Sequence, residues 1–251
     1  MEYLKNTFKV APEKQKLLDI LLTPDVVAVF KELKSQKKRI TFDMDGVEVG
    51  SSYTVVPIFN EVYKPREVKN RWDLKEYFII KKWIEEVTGT DNADKQAIKL
   101  WNGDKNLLNA PIEPGSEVLS WFLYYIGFDT RRITSRDSKT TSTTYAWYQK
   151  MPWIDPARIH VQPETGSSFY DYGFKTRTVG QFSDIHYDDN PFELREMALL
   201  YPQILFNVVP QPWNSGEDFS SHPNVVSVDD EEYFWAPPIW RVTYKMVERF
   251  V

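Results

Sequence analysis

Residues 40–49 read ITFDMDGVEV, and this stretch decides how the fold is interpreted. Apolar residues alternate with polar ones on both sides of an Asp-Gly pair at residues 45–46. Two alternating runs around Asp-Gly are a strong local signal for a β-hairpin, because both turn residues tolerate positive φ angles. The sequence therefore predicts a hairpin at residues 39–56.

Helical patterns dominate the first half of the chain. Residues 24–35 have apolar side chains at helical spacing, with Thr23 as the cap residue and Pro24 at the first position. The same spacing predicts further helices at residues 12–22, 72–88, 92–101 and 116–126. Gly89 and Gly127 follow two of these segments, as residues that end helices commonly do.

The second half of the chain has a different character. Prolines and glycines recur after residue 130, and one further helix is predicted at residues 191–200, with Asn190 as its cap. The C-terminal stretch WRVTYKM, residues 240–246, alternates and is expected to be a strand that pairs with a sheet. This order of elements predicts an α+β fold, with a helical N-terminal half followed by a mainly antiparallel β and loop-rich C-terminal half. The two regions, residues 1–130 and 131–251, are expected to pack as one unit.

The segment Asp43-Met-Asp-Gly resembles the haloacid-dehalogenase phosphatases, whose first strand ends in D-x-D-G. The resemblance implies that Asp43 attacks a phosphate and that Asp45 handles the leaving group. That family also needs a first strand that is buried on both faces, a strand that ends in Ser or Thr, a lysine and a late acidic pair. Here the strand alternates, and the late pair Asp229-Asp230 lies among prolines. A phosphatase that uses Asp43 and Asp45 is therefore the alternative interpretation.

Few other residues suggest chemistry. The absence of cysteine excludes disulfides, thiolate metal sites and cysteine nucleophiles, and no Walker loop, G-x-G-x-x-G or G-x-S-x-G occurs. His186 stands near Asp188 and Asp189, which could form a metal cluster. However, Asp189-Asn190-Pro191 before a helix is also typical of an N-cap. The main interpretation accordingly assigns no catalytic, cofactor-binding or metal-binding residue.

Charge is distributed unevenly along the chain. The net charge is −5 over 251 residues, and residues 181–235 contain eleven acidic residues and one basic residue, Arg195. Basic residues cluster at 34–39 and 131–132. Surfaces of opposite charge can bring one copy of a protein onto another. The acidic balance argues against sequence-specific nucleic-acid binding, and no apolar run reaches the roughly 18 residues of a membrane helix.

In overall character the chain resembles neck, ring and tail-completion proteins of tailed bacteriophages. The shared traits are its size, the absence of cysteine, aromatic-rich loops punctuated by proline and the helix pair at residues 12–35. The resemblance implies a structural protein with no enzymatic activity and no cofactor, located in the virion and assembled in the host cytoplasm. Its partners would be neighbouring virion proteins and copies of itself in a ring, where residues 181–235 meet residues 34–39 or 131–139. No membrane contact is expected.

Overall fold

A single parallel sheet organises the protein. The computed structural model describes residues 12–89, 91–163, 173–229 and 231–251. The sheet has the strand order β3-β2-β1-β4-β5-β6, and every pairing in it is parallel. The strands are β1 (Ile40–Phe42), β2 (Thr130–Thr134), β3 (Ile159–Val161), β4 (Ile185–Asp188), β5 (Leu205–Val208) and β6 (Val225–Val226). The predicted α+β class with an antiparallel C-terminal half is therefore wrong, because the fold is α/β.

Helices lie in every connection between consecutive strands except that from β5 to β6, as is usual for parallel pairing. In the described residues they are α1 (Pro12–Leu21), α2 (Pro24–Ser35), α3 (Ser52–Tyr63), α4 (Ile79–Thr88), α5 (Ala93–Trp101), α6 (Asp104–Asn109), α7 (Ser116–Tyr125), α8 (Thr141–Tyr148), α9 (Phe174–Phe182), α10 (Pro191–Leu200) and α11 (Pro238–Val247). Short 3-10 turns add Arg71–Asp73, Ser138–Thr140 and Pro156–Arg158. No helix among the described residues is both long enough and apolar enough to cross a membrane.

The central strand β1 is buried on both faces. Ile40 and Phe42 pack against the helices on one face, and the Phe42 ring stacks on Tyr187 of β4 with 5.0 Å between ring centroids. Thr41 faces the other way and is also fully buried. Its hydroxyl is satisfied there, because it lies 2.5 Å from the Ser183 hydroxyl and 2.8 Å from Nδ1 of His186. A buried polar residue therefore produced an alternation that is normally typical of a half-exposed strand.

The predicted hairpin at residues 39–56 is wrong. Gly46 does adopt a positive φ of 75°, but the chain after it continues into a loop and then into α3. The residues that suggested a returning strand are all buried, and Glu48 forms a buried ion pair with Arg132 on β2 at 2.7 Å. The charged side chain thus points into the protein, which removes the solvent-facing side that a hairpin strand would need.

A helical insertion, defined here as residues 52–109, lies between β1 and β2 and contains α3 to α6. It has a hydrophobic cluster of its own, which consists of Val55, Val56, Phe59, Leu74, Ile80, Trp83, Ile84, Ala93 and Ala97. The helix predicted at residues 72–88 is present only as α4, and it ends at Gly89, which has the left-handed φ of 62° expected of a terminating glycine.

The C-terminal strand predicted at residues 240–246 is wrong, because these residues lie in α11. This helix packs against β5, α2 and α7, so it is covered on several sides. Trp240, Thr243 and Met246 are all fully buried. A helix covered in this way has few polar positions, and its apolar residues can therefore fall on a two-residue period by chance.

Several local predictions are confirmed. Helix α2 begins after Thr23, whose hydroxyl accepts from the Val26 amide at 3.4 Å. Helix α10 begins after Asn190, whose side chain accepts from the amides of Phe192 and Glu193. The division of the chain near residue 130 stays a prediction.

Candidate active site

Three aspartates meet at the carboxyl edge of the sheet. Asp43 follows β1, Asp188 ends β4, and Asp189 follows it, so two adjacent parallel strands deliver all three side chains to one place. The Asp43 amide donates to the carbonyl of Tyr187 at 2.8 Å, which fixes the chain beside β4. All three side chains are buried. Of the two interpretations of residues 185–190, the N-cap is confirmed, because Asn190 caps α10. The metal cluster stays a prediction, and the group that could form it contains Asp43 in place of His186.

Lys175, at the start of α9, contacts this cluster directly. Its Nζ lies 3.0 Å from Asp43 Oδ1, 2.7 Å from Asp188 Oδ2 and 2.8 Å from Glu193 Oε2. Burial by itself lowers the pKa of Lys175, but the carboxylates of Asp188, Asp43 and Glu193 hold it well above its usual range. Lys175 therefore stays protonated, and its single positive charge is surrounded by several carboxyl groups.

The environment separates the acidities of the three aspartates. Burial raises the pKa of Asp43, and the neighbouring carboxylate of Asp188 raises it further, although Lys175 opposes both effects. Burial also raises the pKa of Asp189, and repulsion from the carboxylates of Asp43 and Asp188 raises it further. Burial also acts on Asp188, but Lys175 and His186 outweigh it and lower its pKa. Asp188 thus carries the charge, while Asp43 and Asp189 ionise reluctantly.

The cluster fits a divalent cation such as Mg²⁺. One carboxylate oxygen from each of Asp43, Asp188 and Asp189 lies within 4.8 Å of the others. Oxygen ligands at about 2.0–2.1 Å from an octahedral Mg²⁺ are separated by about 3–4 Å, so small side-chain adjustments suffice. The raised pKa values of Asp43 and Asp189 point the same way, because a cation would relieve their repulsion.

Asp45, the second acid of the D-x-D-G segment, has a different environment. It is half-buried and forms a two-pronged ion pair with Arg136, whose Nε and Nη2 donate to its oxygens at 2.8 and 2.7 Å. Arg136 follows β2, the strand beside β1, and that strand ends at Thr134. The buried Thr134 hydroxyl accepts from the Arg136 amide at 3.2 Å. Thr134 and Arg136 therefore come to the same edge of the sheet as the aspartates.

The turn of the D-x-D-G segment lies against Asp189. A Cβ atom built on Gly46 would lie 2.6 Å from Asp189 Cγ, so only glycine fits there. The Gly46 carbonyl accepts from Gln211 Nε2 at 2.5 Å, and Trp213 Nε1 donates to Asp189 Oδ2 at 2.8 Å. The loop after β5 therefore holds both the turn and the third aspartate.

His186 lies behind the cluster. Its Nε2 is 3.1 Å from Asp188 Oδ2 and its Nδ1 is 2.8 Å from the Thr41 hydroxyl. Burial lowers the pKa of this imidazole, although the bond to Asp188 opposes the shift. A neutral ring of this kind donates from Nε2 and orients Asp188. His186 therefore supports an acidic residue of the cluster and is not itself among the three groups that could hold a metal.

Arg71 joins the helical insertion to the core. Its Nη2 donates to Gln211 Oε1 at 2.7 Å and lies 3.3 Å from Glu113 Oε1, while its Nε donates to Ser52 Oγ at 2.9 Å. Glu113 is buried, and burial raises its pKa to about 7 in spite of Arg71. Because Gln211 also bonds the Gly46 carbonyl, the insertion is linked to the D-x-D-G turn through two side chains.

The sequence interpretation missed three parts of this site. The late acidic pair was assigned to Asp229 and Asp230, but Asp229 lies exposed after β6, two strands away from β4, and Asp230 lies outside the described residues. The pair that reaches Asp43 is Asp188-Asp189, which directly follows the run IHY. Lys175 and Thr134 supply the lysine and the strand-ending threonine that the D-x-D-G resemblance implies. The clearest signal that was missed is the strand-like run before each of Thr134 and Asp188.

Comparison with solved structures gives the same fold. A candidate phosphatase from Clostridium difficile is 15% identical, with 77% of this chain and 95% of that chain covered and a TM-score of 0.53. A candidate haloacid dehalogenase-like hydrolase from Bacteroides fragilis is 14% identical, with 74% and 93% covered and a TM-score of 0.51. No protein-family model matches the chain, and no curated protein matches it either. At these identities the likeness concerns the fold.

These findings correct the main sequence interpretation. The resemblance to phage neck and tail proteins, the structural assembly function and the absence of enzymatic activity are wrong. The fold is similar to that of the two solved structures. At the carboxyl edge of the sheet, where a hairpin turn was predicted, a buried lysine lies among carboxylates. The fold agrees better with the alternative interpretation, in which Asp43 and Asp45 carry chemistry, than with the main one. The expected partners and location of the protein stay predictions.

Proposed function

We propose that this protein is a phosphatase of the haloacid-dehalogenase type, which hydrolyses phosphate monoesters with a divalent cation. One observation carries the proposal: Asp43 follows a buried central parallel strand and lies 3.0 Å from Lys175. Around it stand the residue types that the D-x-D-G resemblance implies, namely a strand ending in threonine at Thr134 and the acidic pair Asp188-Asp189.

The proposed reaction has two displacements. A carboxylate oxygen of Asp43 attacks the phosphorus atom, the bond from phosphorus to the ester oxygen breaks, and the leaving alcohol takes a proton from Asp45. Water then attacks the aspartyl phosphate, gives a proton to Asp45 and releases inorganic phosphate. Each bond formed to phosphorus is matched by one broken, and Asp45 ends in its initial protonation state.

The neighbouring residues have positioning and electrostatic roles. Lys175 orients Asp43 and offsets negative charge that develops on the phosphoryl oxygens. We assign the Thr134 hydroxyl, at the end of the neighbouring strand, to donate to one of these oxygens. A divalent cation held by Asp43, Asp188 and Asp189 would supply further charge neutralisation.

Arg136 holds the side chain of Asp45. Both Asp45 oxygens accept charged hydrogen bonds from the guanidinium group, which fixes the orientation of the carboxyl group. Asp45 must therefore turn at least partly away from Arg136 before one of its oxygens can reach the leaving alcohol.

The test is phosphate release from a panel of phosphate monoesters in the presence of Mg²⁺. The wild-type protein is expected to release phosphate, and Asp43→Asn is expected to reduce release to the uncatalysed level, because an amide is a poor nucleophile. Asp218→Asn, which changes an exposed aspartate outside the cluster, serves as the matched control and should retain full activity. A wild-type protein that cleaves no monoester, or an active Asp43→Asn variant, would refute the proposal.

A further inference from the structure

Three aromatic side chains border the acidic cluster, and they come from both parts of the molecule. Tyr77 and Phe78 belong to the helical insertion, immediately before α4, whereas Phe192 lies in the first turn of α10. The Phe78 and Phe192 rings stack with 5.9 Å between centroids, and Tyr77 meets Phe192 edge-on at 6.2 Å. We call these three residues the aromatic rim.

The aromatic rim is connected to the proposed phosphate site through Glu193 and through Tyr77. Glu193, the residue after Phe192, contacts Lys175 at 2.8 Å, and Lys175 contacts Asp43 at 3.0 Å. Tyr77, which is 37% exposed, lies within electrostatic reach of the same groups, Asp189, Glu193, Lys175 and Asp43. A phosphate ester bound at Asp43 would therefore carry its leaving group toward these rings.

The rim is exposed in an unusual way. Phe78 is 59% exposed and Phe192 is 54% exposed, although each already stacks on the other. Large apolar side chains that face solvent at the mouth of a polar site are typical of ligand-binding surfaces. Since the two rings belong to different parts of the fold, a ligand that covers both would also hold the insertion against the core.

The charges near the site disfavour an anionic leaving group. Lys175 is engaged by three carboxylates, Arg136 by Asp45, and Arg71 by Glu113 and Gln211. A second phosphate or carboxylate on the substrate would meet excess negative charge without gaining a new partner from these cations. A neutral group with a flat face suits the rim, because aromatic rings stack on it and add apolar contact area.

We infer that Tyr77, Phe78 and Phe192 form a leaving-group subsite that selects monoesters with an uncharged aromatic group over small aliphatic ones. This inference rests on the proposed phosphatase function for the position of the phosphate. It specifies a substrate class through residues that lie outside the acidic cluster.

The test measures binding of two probes that cannot be hydrolysed, benzylphosphonate and ethylphosphonate, by calorimetry with Mg²⁺ present. The wild-type protein is expected to bind benzylphosphonate at least about tenfold more tightly. Phe78→Ala and Phe192→Ala should each reduce that preference severalfold and leave ethylphosphonate binding within about twofold. Both side chains are exposed, so the variants should fold, and their melting temperatures verify this.

The matched control is Phe234→Ala, which removes another exposed phenylalanine, 78% exposed and close to the C-terminal helix α11. It should leave the preference unchanged. Equal binding of the two phosphonates by wild type, equal weakening of both probes in the rim variants, or the same loss in Phe234→Ala would each overturn the subsite.

Hydrolysis of benzyl phosphate and ethyl phosphate separates the two proposals. Both are esters of primary alcohols, so their ratio of kcat/KM reports the subsite more than leaving-group chemistry. Asp43-dependent hydrolysis with no preference for the benzyl ester would overturn the subsite alone. Preferential binding of benzylphosphonate by a protein that releases phosphate from no monoester of the panel, these two esters included, would refute the phosphatase and support the subsite as a binding surface.

Discussion

The ammonium group of Lys175 lies 3.0 Å from Oδ1 of Asp43, and this contact joins helix α9 to the end of the central strand. The same ammonium also contacts Asp188 and Glu193. One buried ammonium group therefore compensates the carboxylates of Asp43, Asp188 and Glu193. Both the stability of the site and its affinity for a further cation consequently depend on Lys175.

Replacement of the lysine by an apolar side chain of similar length should unfold the protein more easily. Lys175→Met leaves buried carboxylates without their partner, and we expect a loss of about 3–5 kcal/mol in the free energy of unfolding at pH 8. The loss should shrink as the pH is lowered toward 5, because the raised pKa values of Asp43 and Asp189 let these groups take up protons at a higher pH than an ordinary aspartate. Urea denaturation at the two pH values measures both effects. Lys245→Met, which removes a half-exposed lysine paired with Glu232 and Glu248, should cost less than about 1 kcal/mol.

Magnesium should stabilise the protein more at high pH than at low pH. The folded-state pKa values of Asp43 and Asp189 lie above their ordinary values, so without a cation stability falls as pH rises through that window. Mg²⁺ binds the ionised carboxylates and removes this penalty. At a concentration about 100 times its Kd we expect about 2.7 kcal/mol of stabilisation, seen as a rise in melting temperature at pH 8 that shrinks at pH 5.

Variants of single aspartates test where the Mg²⁺ acts. Asp189→Asn should raise the melting temperature at pH 8 without Mg²⁺, because it removes a reluctant charge, and should weaken the effect of Mg²⁺. Asp218→Asn should leave that effect as in wild type. A Mg²⁺ effect that is independent of pH and of Asp189 would contradict the assignment of the site.

Gly46 and Gly216 form a natural pair for testing the D-x-D-G turn. Both have a positive φ, 75° and 81°, so an alanine strains the backbone equally at either position. A Cβ at Gly216 meets no atom within 4 Å, whereas one at Gly46 overlaps the Asp189 carboxylate. We expect Gly216→Ala to cost about 1 kcal/mol in the free energy of unfolding and Gly46→Ala to cost at least 2 kcal/mol more and to weaken Mg²⁺ binding. Equal losses in the two variants would mean that the turn does not press on Asp189.

Local signals in the sequence predicted local structure well. Thr23, Gly89 and Asn190 each mark a helix boundary, because capping depends on residues within one turn of the chain. The D-x-D-G resemblance also named Asp43 and Asp45, the pair on which the proposed phosphatase function rests, as the alternative. What it could not supply was the strand partner of Ile40–Phe42, which is set by residues about 90 and 145 positions away along the chain.

The errors at β1, at the predicted hairpin and at α9 share one physical origin, which is burial of polar side chains. Thr41, Glu48 and Lys175 are all buried, each with a polar or charged partner that lies far away in sequence. A hydrophobicity pattern treats such residues as exposed, so β1 looked half-exposed and α9 lacked an apolar stripe. The missing information was tertiary: a threonine or lysine can occupy a core position once a hydrogen-bond or charge partner reaches it.

Glu113 provides a test of the link between the helical insertion and the core. Its pKa is about 7 in the folded protein against an ordinary value of 4.5, because burial outweighs Arg71. The folded protein therefore keeps a proton that the unfolded chain has released, and stability falls as pH rises between about 4.5 and 7. Glutamine cannot ionise, so Glu113→Gln should match wild type at pH 5 and exceed it by about 1–3 kcal/mol at pH 8. Urea denaturation across this range gives the difference, with Glu85→Gln, which changes an exposed glutamate, as the matched control. A difference between Glu113→Gln and wild type that stays constant from pH 5 to pH 8 would show that Glu113 is ionised throughout and that its pairing with Arg71 outweighs the cost of burial.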